Sequence, residues 1–380
     1  MYSISDYGQM IADRLRMDAH VEALRRVIRP DSVVVDIGTG AGIFALIAAR
    51  LGAQRVYAIE PSDAIQLARD FARINGFAHS IQFIQDRSVD VDLPEKAHVI
   101  VSDLRGVLPL FADHLASVID ARTRFLTPGG ALVPQCDTVW VALVSADKLY
   151  QACVAPWQTK RFGLDLAAGQ RMVLNRYRKA QIAARQLCEQ PRCWAELDYR
   201  RITGPDVAAS LRWTIQQDRA VHGFTVWFDS CLAEAVGFSN APGKPELIYG
   251  HTFFPWLEPV ALKQDDTVDL LLEARLVGGE YVWRWDTHVR DVHSRLRAEF
   301  KQSTFFGTPL SPARLHKQAE DFTAALNADG RVVKHALSLM AGDTPLIQIG
   351  QALRQRFPER FADHAQALDY VRQLADKYGA

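Results

Sequence analysis

Residues 33–50 read VVVDIGTGAGIFALIAAR, and this stretch restricts what the chain can fold into more than any other. A run of apolar residues broken only by Asp36 belongs to a strand buried on both faces, which places it inside a parallel sheet. Glycine just after such a strand lets the backbone approach a ligand that a Cβ would push away. The helix that follows then presents unpaired N–H groups to that ligand. Gly38, Gly40 and Gly42 stand at G-x-G-x-G spacing, one residue tighter than the G-x-G-x-x-G of dinucleotide enzymes. Asp36, at the strand end, either orients the turn or accepts from an ammonium group. Both features point away from a pyrophosphate and toward a ligand with an amino-acid moiety.

The neighbouring sequence extends the pattern. Apolar residues at Met10, Ile11, Leu15, Val21, Leu24 and Ile28 follow a helical stripe, so one or two helices precede the first strand. RVYAIE is a second strand, and SDAIQLARDFARING a second helix with Ser62 as its cap and Gly76 as its stop. IQFIQD, HVIVSD and, after the LTPGG turn, ALVPQCDTVWVAL continue the series. Alternation of strand and helix predicts a parallel, doubly wound sheet over the first 140 or so residues. Glu60 closes the second strand 18 residues after Gly42, the place from which an acid accepts from both hydroxyls of a ribose. Asp86 follows the third strand with Arg87 and Ser88, where it can read an adenine edge. Glycine turn, ribose acid and adenine acid on successive strand ends specify S-adenosylmethionine, with S-adenosyl-L-homocysteine as the product after transfer.

Beyond Ala142 the rhythm changes. A mostly polar, helical segment spans about 155–192, and alternating apolar and polar residues from VHGFTVWFDSCLA to YVWRWDTHV then mark antiparallel strands. From about Ser311 the chain is helical again. The expected fold class is α/β plus β: a Rossmann-like domain with N-terminal helices at 1–142, a β-barrel-like domain carrying the helical arm at 143–305, and a small helical or winged-helix-like domain at 306–380.

Lys plus Arg equal Asp plus Glu at 44 each, so no global field draws in a nucleic-acid backbone and no nucleic-acid partner is expected. No run of about 18 apolar residues and no signal-like N-terminus appear, which predicts a soluble, cytoplasmic protein without a membrane partner. The five cysteines form no C-x-x-C pair, so neither a metal site nor a disulfide framework is expected, and they read as buried thiols.

Further motifs resemble the protein arginine methyltransferase family. MIADRLR at Met10–Arg16 matches its N-terminal pattern M-x-x-D-x-x-R; the resemblance implies that Arg16 pairs with the methionyl carboxylate of the cofactor and that Met10 lies near the transferred methyl. FGLDL at 162–166 resembles the family's dimerisation arm, and VWFDSCL followed by GFSNAP resembles the start of its β barrel. The likeness covers about 300 residues and implies a homodimer that methylates a protein or peptide side chain. In the family two glutamates on the loop after the fourth strand grip a guanidinium. In SDLRGVLPLFAD the first position holds Asp103 and the second Ala112, with Asp113 adjacent. Asp103 and Asp113 are the expected acceptor-orienting acids, Asp113 having the alternative of capping the next helix. Arg105 on the same loop adds a charge that repels an arginine substrate unless neutralised. GHTFFPW echoes the family's threonine–histidine–tryptophan loop, making His251 either a catalytic histidine or a strand-end residue. The alternatives to arginine are an oxygen, nitrogen or carboxylate acceptor on another peptide or small molecule, and a non-catalytic scaffold. The last 70 residues fall outside the likeness and resemble either a leader-peptide-holding winged helix or a plain helical cap.

Overall fold

The structure is a computed structural model describing residues 2–158 and 163–379. Two helices open it, α1 (Ile4–Ala12) and α2 (Arg14–Val27); Ser3 caps the first through a capping box with Asp6, and Asp13 caps the second. Then follow β1 (Val33–Ile37), α3 (Ile43–Arg50), β2 (Arg55–Ile59), α4 (Ala64–Ile74), β3 (Ile81–Ile84), β4 (Ala97–Ser102), α5 (His114–Phe125) and β5 (Leu126–Val133). The five strands are parallel in the order β3-β2-β1-β4-β5. β1 is buried at every position, as its unbroken apolar run requires. Gly76 ends α4 in the left-handed region as expected, but Ser62 does not cap it: Asp63 takes the cap position, and no side chain bonds the first-turn N–H groups.

The parallel sheet stops at Val133. The segment after it, β6 (Cys136–Val144), was expected to continue that sheet and instead pairs antiparallel with strands far along the chain. Alternating burial along β6 shows why, since a strand of a doubly wound sheet is covered on both faces.

Next come α6 (Asp147–Gln158), α7 (Ala167–Leu174), β7 (Arg178–Ala180), β8 (Arg192–Asp198), β9 (Val207–Thr214), β10 (Arg219–Ala233), β11 (Val236–Ser239), β12 (His251–Leu262), β13 (Thr267–Val277), β14 (Glu280–Arg290) and β15 (Leu296–Ser303). The antiparallel strands form two sheets, β7-β12-β10-β6-β8 with β11 on β10, and β15-β14-β13-β9. Trp213, Trp256, Trp283 and Trp285 are buried in the shared core, where large aromatics dominate packing energy. The arm-like segment at about 155–192 holds the end of α6, then α7 and β7, while Phe162 of FGLDL lies outside the described residues. Cys153 and Cys188 are buried, but Cys193 is exposed and Cys136 and Cys231 are half-buried.

The chain divides into two compact units, Met1–Pro309 and Leu310–Ala380. The second contains α8 (Pro312–His316), α9 (Ala328–Met340), α10 (Leu346–Arg356) and α11 (His364–Tyr378), with no strand among its described residues. Val332, Ala336, Ile349, Leu353, Phe361 and Val371 form its core.

Candidate functional site

The sheet order decides what can meet. The turns after β3, β2, β1 and β4 carry Asp86, Glu60, Gly38–Gly42 and Asp103, so these groups line up across neighbouring strand ends, strands being spaced about 4.8 Å apart. A cavity of about 770 Å³ opens there, and its walls include Met10, Arg16, Gly38, Gly40, Glu60, Asp86, Ser88, Asp103 and Asp113. That volume lies in the range of small-ligand sites.

The glycine turn is tied down from behind. The N–H groups of Gly38 and Thr39 donate to the Ile59 carbonyl at 2.9 and 3.1 Å. Glu60 accepts from the N–H of Gly40 and from that of Ser62, each at 3.0 Å. Gly40 has φ +53, and a Cβ there would lie 2.5 Å from Cε1 of Tyr7, a ring that α1 lays against the turn.

Two residues expected at the ligand stand behind it instead. Asp36 is buried and absent from the cavity wall; its Oδ2 accepts from Thr39 Oγ1 at 2.5 Å and from the Ala45 N–H at 2.9 Å. Of its two readings, orienting the turn is the one the geometry displays, and burial pushes the carboxyl up to about 7. Gly42 is also off the wall: it begins α3 at φ +82, and a Cβ would stand 2.5 Å from Cβ of Ala68. It is glycine so that α3 and α4 can pack.

Asp103 anchors a buried chain of charges. Its Oδ2 accepts from Arg16 Nε at 2.8 Å, from the Arg16 Nη2 at 2.5 Å and from the Tyr249 hydroxyl at 2.8 Å. Its Oδ1 accepts from Arg105 Nε at 2.8 Å. Arg105 continues to Asp137 Oδ1 at 3.1 Å and Ser230 Oγ at 2.7 Å, and its guanidinium lies 5.3–5.6 Å from the ring centres of Phe228, Phe238 and Tyr249. Burial alone would raise the Asp103 carboxyl, but Arg105 and Arg16 outweigh it and hold it well below the usual carboxylate range. The charge that Arg105 brings to the loop is thus neutralised internally, by Asp103 and Asp137.

Ala112 has φ +42, a left-handed conformation uncommon outside glycine. It delivers Asp113 to the start of α5, yet the Asp113 side chain caps no N–H of that helix. Its carboxylate is about half-exposed on the cavity wall and lies 3.8 Å from Arg87 Nη2.

His251 does not join the cavity wall. It opens β12 opposite Ala180, with Nδ1 accepting from the Ile182 N–H at 3.0 Å. This is the strand-end alternative; the catalytic expectation is corrected. Burial lowers its basicity. The barrel residue that does reach the site is Tyr249, two positions earlier, which sequence reasoning missed. His114 of α5, also missed, lines the cavity while almost fully buried.

Among the described residues no cluster of side chains could hold a metal ion, and no helix is long and apolar enough to cross a membrane.

Comparison with known proteins accords with this geometry. Residues 18–149 match the family model for ribosomal protein L11 methyltransferase (PrmA), and residues 135–275 that of the arginine methyltransferase oligomerization subdomain. Probable protein arginine N-methyltransferase 6 of Arabidopsis thaliana is 29% identical over 247 residues, 63% of this chain; the match spans 56% of that protein's length. Protein arginine N-methyltransferase 6 of Xenopus tropicalis is 27% identical over 70% of this chain and 82% of its own. In the solved structure of protein arginine methyltransferase 10 from Arabidopsis thaliana the same fold recurs with TM-score 0.69 at 22% identity, covering 79% of this chain and 97% of that one. A PRMT1 enzyme-prozyme complex from Trypanosoma brucei, solved with AdoHcy, also gives TM-score 0.69, at 20% identity over 78% of this chain and 97% of that one. By fold, strand-end constellation and these matches together, the chain resembles the S-adenosylmethionine-dependent methyltransferases of the protein arginine methyltransferase type.

Proposed function

We propose that the chain methylates a side-chain nitrogen of a protein or peptide, with arginine as the first candidate acceptor, and releases S-adenosyl-L-homocysteine. The observation that carries this reading is a single cavity that joins the strand-end set Gly38, Gly40, Glu60, Asp86 and Ser88 to the acids Asp103 and Asp113. The residues present fit the cofactor: the cradle at Gly40 excludes a Cβ, and Glu60 closes the neighbouring strand end. Bound there, S-adenosylmethionine supplies an electrophilic methyl group on a sulfonium. Glu60 would hold the ribose, Asp86 and Ser88 the base, and Arg16 and Met10 the methionyl end.

Methyl transfer is an in-line displacement, so the protein's work is to align the acceptor lone pair and exclude water. Asp103 already accepts four protein hydrogen bonds. In this reading it acts as the pin that holds Arg16 and Arg105, and it is not a free clamp. Asp113, on the cavity wall with Arg87 Nη2 at 3.8 Å, is the acid that orients a cationic acceptor and takes up the proton lost on transfer.

We also read the protein as a cytoplasmic homodimer without nucleic-acid or membrane partners. The match of 135–275 to an oligomerization subdomain supports the dimer, and the zero net charge the lack of a nucleic-acid partner. Incubation with a labelled methyl donor and arginine-containing peptides should give methylarginine by mass spectrometry. Methyl transfer to other acceptors alone would shift the acceptor assignment, and no transfer to any peptide would defeat the reading. A monomeric mass in light scattering would remove the dimer.

A further inference from the structure

Cys136 opens β6 and stands directly opposite Cys231 of β10, on the end rung of that ladder. Directly opposed residues of an antiparallel pair share one face, with Cα atoms about 4.5–5.5 Å apart. A disulfide spans Cα separations of about 4.4–6.8 Å, so this rung can be bridged without displacing either strand. The thiols are already in touch. Cys231 Sγ donates to the Ala233 carbonyl at 3.4 Å, and the Cys136 thiol hydrogen-bonds to Cys231. Both are half-buried, and neither lines the cavity. Burial, with Cys231 beside it, pushes the Cys136 thiol up to about 11, so it persists as a thiol at neutral pH. Cys193, by contrast, stands opposite Trp140.

The next rung holds the buried charges of the site. Asp137 and Ser230, opposite each other and buried on the inward face, both bond Arg105 Nη1, at 3.1 and 2.7 Å, and Arg105 in turn holds Asp103. We propose that Cys136 and Cys231 form a redox site, a dithiol that a low-molecular-weight disulfide such as oxidised glutathione closes into a cross-strand bond, clamping β6 to β10 beside the rung that anchors Arg105. The deprotonated sulfur of one cysteine attacks the small disulfide, whose S–S bond breaks and releases one thiol. The second cysteine gives up its proton and attacks the protein sulfur of the mixed disulfide, releasing the other thiol. Two electrons pass from the protein pair to the small disulfide, and the two thiol protons end on the released thiols. Because the second sulfur is already in place, closure outruns capture by another small molecule. A cross-link closing so long a loop narrows the unfolded ensemble.

The test treats the whole reduced chain with oxidised glutathione and maps its unreduced peptides by mass spectrometry; cleavage after lysine and arginine leaves the two cysteines in different peptides. The peptide of Cys136 joined to that of Cys231 should exceed the glutathionylated form of either by at least about tenfold, the advantage of a preplaced second thiol. Excess dithiol reductant should return both to free thiols. The linked chain should unfold at higher urea than the reduced chain, and Cys136→Ser, which stops at a mixed disulfide on Cys231, should show no such rise. Cysteines that stay free, glutathionylation of both without a joined peptide, or Cys231 joined to another cysteine would overturn the redox site, whether or not the variant folds. A joined pair whose urea midpoint does not rise would overturn the clamp alone.

Discussion

Arg105 Nε donates to Asp103 Oδ1 at 2.8 Å while Arg16 occupies Oδ2, so one buried carboxylate holds two arginines from different parts of the chain. Asp103→Ala would leave the buried Arg16 guanidinium without a carboxylate and Arg105 with Asp137 alone. Removing one partner of a buried ion pair costs about 3–5 kcal/mol. The variant should lose that much in urea denaturation and should also bind S-adenosyl-L-homocysteine more weakly, because Arg16 is no longer fixed. A variant of undiminished stability would show that the pin carries no load.

Gly40 and Gly42 should fail differently. Gly40→Ala carries the same left-handed strain at φ +53 but drives its methyl into the Tyr7 ring at the cavity wall, so beyond that strain it should raise the dissociation constant of the cofactor. Gly42→Ala meets Ala68 behind the turn, within 3.2 Å of its Cα, at φ +82. Left-handed backbone alone costs about 1–2 kcal/mol for an L-residue, so this variant should lose stability by that amount or more. Equal effects of both substitutions on binding would contradict the division of labour.

Asp36 has a folded-state pKa of about 7, raised above the unfolded value near ~3.9. The folded state therefore holds its proton more firmly, and this group's stabilising contribution is complete below about pH 4 and lost as pH rises through 7. Asp36→Asn keeps an oxygen for Thr39 and Ala45 but has no such titration. Its urea midpoint should vary less than that of the wild type between pH 4 and 8, with cofactor affinity changed less than about threefold. A tenfold loss of affinity would mean instead that the carboxylate touches the ligand's ammonium.

Tyr249 and His251 make a matched pair two residues apart. Tyr249→Phe removes a hydrogen bond to an ionised carboxylate, worth about 1.5–3 kcal/mol, and loosens Arg16 at the same time, so stability and turnover should both fall. His251→Ala should lower stability alone, because its ring is off the cavity wall and braces backbone, accepting from the Ile182 N–H. Turnover per folded molecule that collapsed in His251→Ala would restore a catalytic part to that residue.

What could be read from sequence was local. The run from Val33 to Gly42, and Glu60 at the end of the next strand, announce themselves because strand, turn and helix succeed one another within one βαβ unit. The partners of Asp103 do not, since Arg16 is 87 residues earlier and Tyr249 146 residues later, and nothing in SDLRG shows that its arginine turns inward. The barrel loop misled by similarity: the histidine in GHTFFPW draws the eye, yet it opens β12 with its ring on the Ile182 N–H, while Tyr249, in the turn before that strand and across the left-handed Gly250, reaches the site. Asp36 and Gly42 were visible as parts of the ligand turn. Whether a side chain faces the ligand or braces the turn from behind depends on helix packing, which spacing alone does not encode.

The central claim is that the strand-end cavity holds an S-adenosyl nucleoside. Titrating S-adenosyl-L-homocysteine into the whole chain in a calorimeter tests it most directly. One molecule should bind per chain with a dissociation constant below about 100 μM, corresponding to roughly 5.5 kcal/mol or more of binding free energy. An absence of binding at millimolar nucleoside, in a preparation whose cooperative unfolding shows it to be folded, would contradict the account.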